Sequence, residues 1–410
     1  MKKLLVITLL LIMGLAWAQT TKISIGLFEP LNEHVVRVLP KFNELHPEIE
    51  VEVRTLGFMD HHNTLVTALA TGSGAADVVA VEIGFIARFV AEGGLVDLAQ
   101  PPFNAGQFEE LFVEYAWLQS RTADGRQVAL PTDIAPGVMY FRRDHLATVG
   151  ADINEVIGSW DSYIEYGRQL REHGVFLIAD AGSVASAIIR SDIPVGEGIY
   201  FSADGRPLLN SERFIQAATI AQRIRQEGLD AQIGAWSSEW FEAFRRGTVA
   251  TELSGAWLAG HLETWMAPET AGLWGASEMP GGVLVSWGGS FYGIPTQSRQ
   301  QEAAWKLVQF LTTNPEIQLD AFRTINAFPA MPVTYDDPMF EEPLAFLAGQ
   351  QARLLFADIA GRIQGIAVHP GDMVAEEIFG SAMGQILNEG VAVETALNEA
   401  QRLVERRFRR

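Results

Sequence analysis

The period of the hydrophobic pattern switches repeatedly between residues 22 and 92, and no other feature of the chain limits its fold as much. Lys22 to Phe28 reads as a buried strand. Pro30 opens a helical stretch through Leu31, Val35, Val38 and Phe42, which His46-Pro47 stops. Ile49, Val51 and Val53 then alternate with Glu50, Glu52 and Arg54, the period-two mark of a strand with one wet face. His61 to Ala70 is helical again and ends at Gly72-Ser73-Gly74. Asp77 to Glu82 is another apolar strand, and Ile83 to Val90 a short helix closed by Gly93-Gly94. Successive strand–helix–strand units predict a parallel sheet with helices on both faces, an α/β fold.

The rest of the chain continues in mixed form. Leu130-Pro131-Thr132-Asp133 leads into an apolar strand at Val138 to Phe141, and Trp160 to Glu172 is amphipathic up to Gly174. Ser211 stands at the N-cap position of a helix predicted over Glu212 to Glu227, with Gly228 just past its end. A helix is predicted over Trp236 to Arg246 and a strand over Thr248 to Leu253. A turn cluster follows at Met279-Pro280-Gly281-Gly282, and then Gly288-Gly289 with a strand through Ile294. Helices over Gln301 to Leu311, from Asn314-Pro315-Glu316, over Met373 to Leu387 and over Val391 to Arg407 complete the pattern.

The first eighteen residues read as a leader rather than as part of this fold. Lys2 and Lys3 precede the apolar run Leu4 to Leu15, and Ala16-Trp17-Ala18 supplies small residues for cleavage after Ala18. The run is roughly a dozen residues, whereas a bilayer span needs about 20. No Cys follows, so a lipid anchor is not expected and the mature form is expected to be free outside the inner membrane. Cleavage leaves 392 residues, too many for one core and suited to two domains.

Charge and composition remove several function classes. The formal charge of −20, or −22 without the leader lysines, repels phosphate backbones and argues against nucleic acid as a partner. The basic run at 406–410 ends a helical pattern and reads as a solvated terminus. With no Cys there is no thiol catalysis and no thiolate metal site. Only five Lys occur, so Schiff-base and P-loop chemistry have almost no candidates. Gly288-Gly289-Ser290-Phe291 misses the nucleophile elbow because Tyr292 stands where its last Gly belongs. Gly72 to Asp77 lacks the final Gly of a dinucleotide loop, and His61-His62, adjacent on a helix, make a poor metal clamp. Neither a metal nor a cofactor is expected. Carboxylates are plentiful, and spacing alone selects no pair for glycoside hydrolysis.

Tryptophan is the positive signal. Nine remain after the leader, and several sit beside Gly, as in Ser254-Gly255-Ala256-Trp257 and Ser286-Trp287-Gly288-Gly289. A ring on such a loop can lie flat against the C–H face of a sugar while polar groups at the rim serve its hydroxyls. Trp160, Trp240 and Trp305 lie in amphipathic helices and are expected in the core.

Several local motifs then occur in a fixed order: Gly74-Ala75-Ala76-Asp77-Val78-Val79 with Gly93-Gly94-Leu95-Val96-Asp97-Leu98, Leu130-Pro131 to Tyr140-Phe141-Arg142-Arg143-Asp144, and Ser159-Trp160-Asp161. They continue with Phe244-Arg245-Arg246-Gly247-Thr248-Val249-Ala250, Gly288-Gly289 to Ile294-Pro295, and Ala303 to Leu311. In this order the chain resembles the extracellular solute-binding proteins of sugar ABC importers, the group similar to maltose-binding protein. Phe141-Arg142 departs from it, since the family often has Tyr-Asn there.

The resemblance implies two α/β lobes, each a mostly parallel sheet flanked by helices, with ligand in the cleft between them. Crossovers are expected near Leu130, Trp287 and Phe328, giving residues 19–130 plus 288–328 as one lobe and 131–287 plus 329–410 as the other. It also implies a monomeric, non-catalytic receptor that hands a mono- or oligosaccharide to membrane permease subunits, an α-glucoside disaccharide being the working guess. By resemblance the ligand-binding residues are Phe28, Glu29, His61, Glu82, Asp133, Trp257, Trp287, Gly289 and Arg362. Trp257 and Trp287 would stack, Glu29, Glu82 and Asp133 would accept from hydroxyls, Arg362 would donate as a fork, and Gly289 would let backbone approach the sugar. A secreted glycoside hydrolase, or a receptor of the same fold for a polyamine or other solute, stays open at this point.

Overall fold

A computed structural model describes residues 20–122 and 124–408. The expected leader and the last two arginines of the basic end lie outside the described residues. None of the described helices is long and apolar enough to cross a membrane.

Among the described residues nine strands occur: β1 (Thr21–Phe28), β2 (Ile49–Leu56), β3 (Val78–Glu82), β4 (Ala129–Arg142), β5 (Phe176–Ile178), β6 (Val249–Gly255), β7 (Trp274–Ser277), β8 (Ser286–Gly293) and β9 (Phe328–Pro329). The main path runs β2-β1-β3-β8-β4-β6-β5, with β7 and β9 also on β4. The predicted parallel core is present: β1 pairs β2 in parallel with Thr21 opposite Ile49, and β1 pairs β3 in parallel with Ile25 opposite Val78. Beyond it the sheet is mixed, since β8 is antiparallel to both β3 and β4, and β4 is antiparallel to β6 and β7. β5 returns to parallel pairing with β6.

β4 joins the two parts of this sheet. Its first half pairs with β8, from Ala129 opposite Gly293 to Ile134 opposite Gly289, and its second half pairs with β6, from Gly137 opposite Gly255 to Phe141 opposite Thr251. The apolar run at its end serves two interiors through the pleat: Val138 and Tyr140 belong to one buried cluster, Met139 and Phe141 to another. Arg142, the departure from the family pattern, is buried and satisfied. It holds Asp144 through two bonds of 2.9 and 2.7 Å and gives a third to the Phe244 carbonyl.

The helices follow their amphipathic patterns, with three boundary corrections. The helix expected from His61 begins at Phe58, because His61 N–H already bonds the Gly57 carbonyl at 2.8 Å; both histidines are therefore interior to it. The helix expected from Trp236 begins at Ser238, because the Ser237 hydroxyl caps it by accepting from Trp240 N–H at 3.1 Å. Trp236 is left outside with φ +66°. Arg362, for which the nearby Gly361 and Gly365 predict a loop, is instead the last residue of the Ala352–Arg362 helix. Trp240 and Trp305 are buried as expected, whereas Trp160 is only half-buried, its ring edge-on to Tyr163.

Candidate functional site

β1 and β3 run parallel and end side by side, so the residues after them emerge at one carboxyl edge, where open α/β sheets place ligands. Phe28 and Glu29 leave β1, and Glu82 leaves β3. All three line a cavity of about 1190 Å³, whose other walls come from β4, β8, the segments around β5 and β6, and residues 325–327 and between 362 and 376.

Phe28 is buried, edge-on to Phe58 at 5.2 Å and 5.0 Å from the His62 ring. Glu82 caps the Ile83–Glu92 helix, its Oε2 accepting from Gly84 N–H at 2.7 Å. Its own N–H donates to His62 Nε2 at 3.1 Å, while His62 Nδ1–H donates to the Phe58 carbonyl at 2.8 Å. These two bonds require the neutral Nδ1–H imidazole, and burial helps by pulling His62 down to about 4. His62 also stacks on Phe85 at 4.1 Å, so the helix that carries it fixes the exit angle of β3.

The pairing of β4 with β8 slips on either side of Asp133, between Pro131 and Asp133 and between Ile134 and Pro136. Such irregularities re-aim side chains, and Asp133 faces the cavity with Oδ1 buried and without a partner. Burial pushes its carboxyl up to about 7 against the bonds from Ser290. Glu82 is likewise pushed up to about 7, first by burial and then by the charges of Asp133 and Glu376, with Gly84 N–H and Arg190 opposing. Asp372, also on the wall, accepts from His369 N–H at 2.8 Å through Oδ2 while Oδ1 has no partner; burial lifts it to about 7. Arg190 donates to Glu376 at 2.8 Å and to the Ser186 carbonyl at 3.0 Å.

A second group on the wall is aromatic. Trp257 donates its indole N–H to the Trp287 carbonyl at 3.0 Å, which fixes its ring plane. Trp236 lies over it at 5.5 Å and 19°, and His261 flanks it at 5.3 Å. Trp265 donates to His261 Nδ1 at 3.1 Å. Trp236 and Trp265 are 55% and 45% exposed, unusual for indoles and an invitation to a ligand face. The two groups meet along β8, where Ser290 pairs Asp133 and Trp287 receives Trp257. Gly288 and Gly289 between them hold φ of +125° and +130°, and a Cβ on Gly289 would stand 3.0 Å from the Asp133 carbonyl oxygen.

Eight of the nine sequence-predicted residues line this one cavity: Phe28, Glu29, Glu82, Asp133, Trp257, Trp287, Gly289 and Arg362. His61 does not. It is buried beneath the wall, where Nε2–H donates to the Ala80 carbonyl at 2.8 Å, a role that follows from its interior helix position. Arg362 reaches the wall, but its guanidinium is already held by Glu278 and by Asp358. Trp236, Trp265, Arg190, Asp372 and Glu376 are wall residues that the sequence does not single out as contacts. Only Trp236 carried a local signal, the Ser237 cap that follows it. Among the described residues no group of three or more His, Asp or Glu could hold a metal ion.

With this geometry in view, comparison with known proteins is informative. Residues 38–348 match the family described as bacterial extracellular solute-binding protein. An arabinooligosaccharide-binding protein of Halalkalibacterium halodurans is 23% identical over 386 residues, covering 89% of this chain and 84% of that one. A crystal structure of an extracellular solute-binding protein of family 1 superposes with a TM-score of 0.84 at 25% identity, covering 94% of this chain and 99% of that one. The ABC transporter associated binding protein of B. animalis subsp. lactis, in complex with β-1,6-galactobiose, superposes at 0.76 with 21% identity, covering 95% and 97%.

Proposed function

The chain belongs to the bacterial extracellular solute-binding proteins, and from that premise we propose that it is a sugar receptor of an ABC importer. It captures a mono- or oligosaccharide, works in the periplasm after loss of its leader, and delivers the sugar unchanged to membrane permease subunits. The observation that carries this reading is the single cavity in which an aromatic group, Trp236, Trp257 and Trp265, borders the carboxyls of Glu82, Asp133 and Asp372, the last two each with a buried oxygen that has no partner. Rings offer faces to C–H groups, and the carboxyl oxygens accept from hydroxyls, the two halves of carbohydrate recognition. Relatives and structural neighbours that bind arabino-oligosaccharides and β-1,6-galactobiose support the ligand class.

Capture proceeds by closure. Lobes of 19–130 plus 288–328 and 131–287 plus 329–410 are supported by β4 and β8, which run from one part of the sheet toward the other. A closed form is favoured only to the extent that the sugar touches both walls. Micromolar affinity corresponds to about −8 kcal/mol, within reach of stacked rings and several hydroxyl bonds after ordering costs.

A thermal-shift panel tests the proposal: arabinobiose, β-1,6-galactobiose, lactose, maltose and glucose, each followed by calorimetry and by chromatography of the recovered sugar. At least one should raise Tm through linkage and be recovered intact. Silence across the panel counts against the sugar assignment, and cleavage of the bound sugar turns the reading to a hydrolase.

A further inference from the structure

We propose, resting on the sugar-receptor reading, that the cavity selects against anionic sugars, so that its ligands carry no carboxylate, phosphate or sulfate. The wall presents seven acidic side chains, among them Glu82, Asp133, Asp372 and Glu376, against only two cationic side chains, Arg190 and Arg362, and no lysine. Neither guanidinium is free. Arg190 is spent on Glu376 at 2.8 Å and on the Ser186 carbonyl at 3.0 Å. Arg362 is held by Glu278 and, at 2.9 Å, by Asp358. His261 adds no charge at neutral pH, because its Nδ1 accepts from Trp265 and burial lowers its pKa.

The unmet demand of the wall has one sign. Asp133 Oδ1 and Asp372 Oδ1 are buried oxygens without partners, so each calls for a donor. A sugar hydroxyl donates and accepts; a carboxylate, phosphate or sulfate at that place offers acceptors alone. Above pH 7, where Asp133 and Asp372 are ionised, such a group would leave both oxygens unsatisfied and set a like charge beside them as closure removes water. The overall charge of −20 acts in the same direction but is screened beyond about 8 Å at physiological salt, so the groups on the wall decide the selectivity.

The experiment takes the panel sugar that binds tightest and the same sugar with a primary alcohol oxidised to the carboxylate, both titrated by calorimetry at pH 8, where the wall carboxyls are ionised. The oxidised sugar should bind about tenfold more weakly or worse. Equal or tighter binding overturns the inference while leaving the receptor reading intact; a panel with no binder removes the receptor reading and the inference with it. Glu376→Gln supplies a gain-of-function arm, since it frees Arg190. The ratio of neutral to anionic affinity should narrow by about fivefold or more, and an unchanged ratio in a variant of normal Tm overturns the argument from committed arginines. If Glu376→Gln lowers Tm, Asp358→Asn and Glu278→Gln together free Arg362 from outside the wall's acidic set, with the same two outcomes.

Discussion

Trp236 holds a left-handed backbone, φ +66°, that costs a residue with a Cβ about 1 kcal/mol, and it does so with its ring half exposed over Trp257. Trp236→Gly should therefore leave Tm within about 2 °C of the parent, or raise it, because glycine adopts this φ freely. The same variant should lose about 1 to 3 kcal/mol of sugar affinity, the worth of an aromatic plate. Calorimetry alongside a melting curve decides it: a variant that melts early but binds normally would make Trp236 a structural residue. Asp133 shows the opposite balance. Its ordinary pKa near 4 is pushed up to about 7 in the fold by burial. A raised folded value means stability present at low pH and lost as pH rises through 7. Asp133→Asn removes that titration. The ligand-free variant should melt about 2 to 5 °C above the parent at pH 8 and much closer to it at pH 5. A gap of equal size at both pH values would show that the carboxyl does not titrate there.

The elements that carry the site were unequally legible in the sequence. β1 and β3 could be read from apolar runs between helical patterns, which sets Phe28, Glu29 and Glu82 at strand ends; only the family resemblance marked those ends as ligand-facing. The His61-His62 pair could not be resolved this way. The difference between them is a rotation on one helix, which sends His61 to the Ala80 carbonyl and His62 to the N–H of Glu82. Arg190, Asp372 and Glu376 come from elements far apart in sequence and meet only in three dimensions, so no local pattern marks them. Asp133 owes its direction to slips in the β4–β8 ladder, which a hydrophobic period of two hides. Gly289 is the partner of that irregularity. Gly289→Ala places a Cβ at 3.0 Å from the Asp133 carbonyl oxygen at a φ of +130°. It should destabilise by about 1 to 3 kcal/mol and weaken sugar binding as well. Because the strain falls on β4 where Asp133 sits, both losses should appear together. A Tm loss with unchanged affinity would uncouple the strand irregularity from the site.

At the scale of the molecule, the cavity is lined by residues flanking β1 and β3 on one side and by residues flanking β5 and β6 together with residues between 362 and 376 on the other, and the sheet continues between them through β4 and β8. A sugar that touches both sets lowers the energy of whichever arrangement brings them nearest. An arrangement that the sugar touches on one side only gains nothing from closing. Two consequences follow for scattering. The mature chain should have a radius of gyration near 21 Å by size alone, and saturating sugar should reduce it by a measurable amount, on the order of 1 Å. Trp236→Gly weakens one set of contacts and leaves the strands between the lobes untouched. Its closure should therefore reach the same compact state, but at a sugar concentration higher by the factor lost in affinity. A radius that stays constant while calorimetry reports full occupancy would mean that the cavity is already in its binding form. Capture would then rest on the preset wall of tryptophans and carboxyls without movement of the lobes.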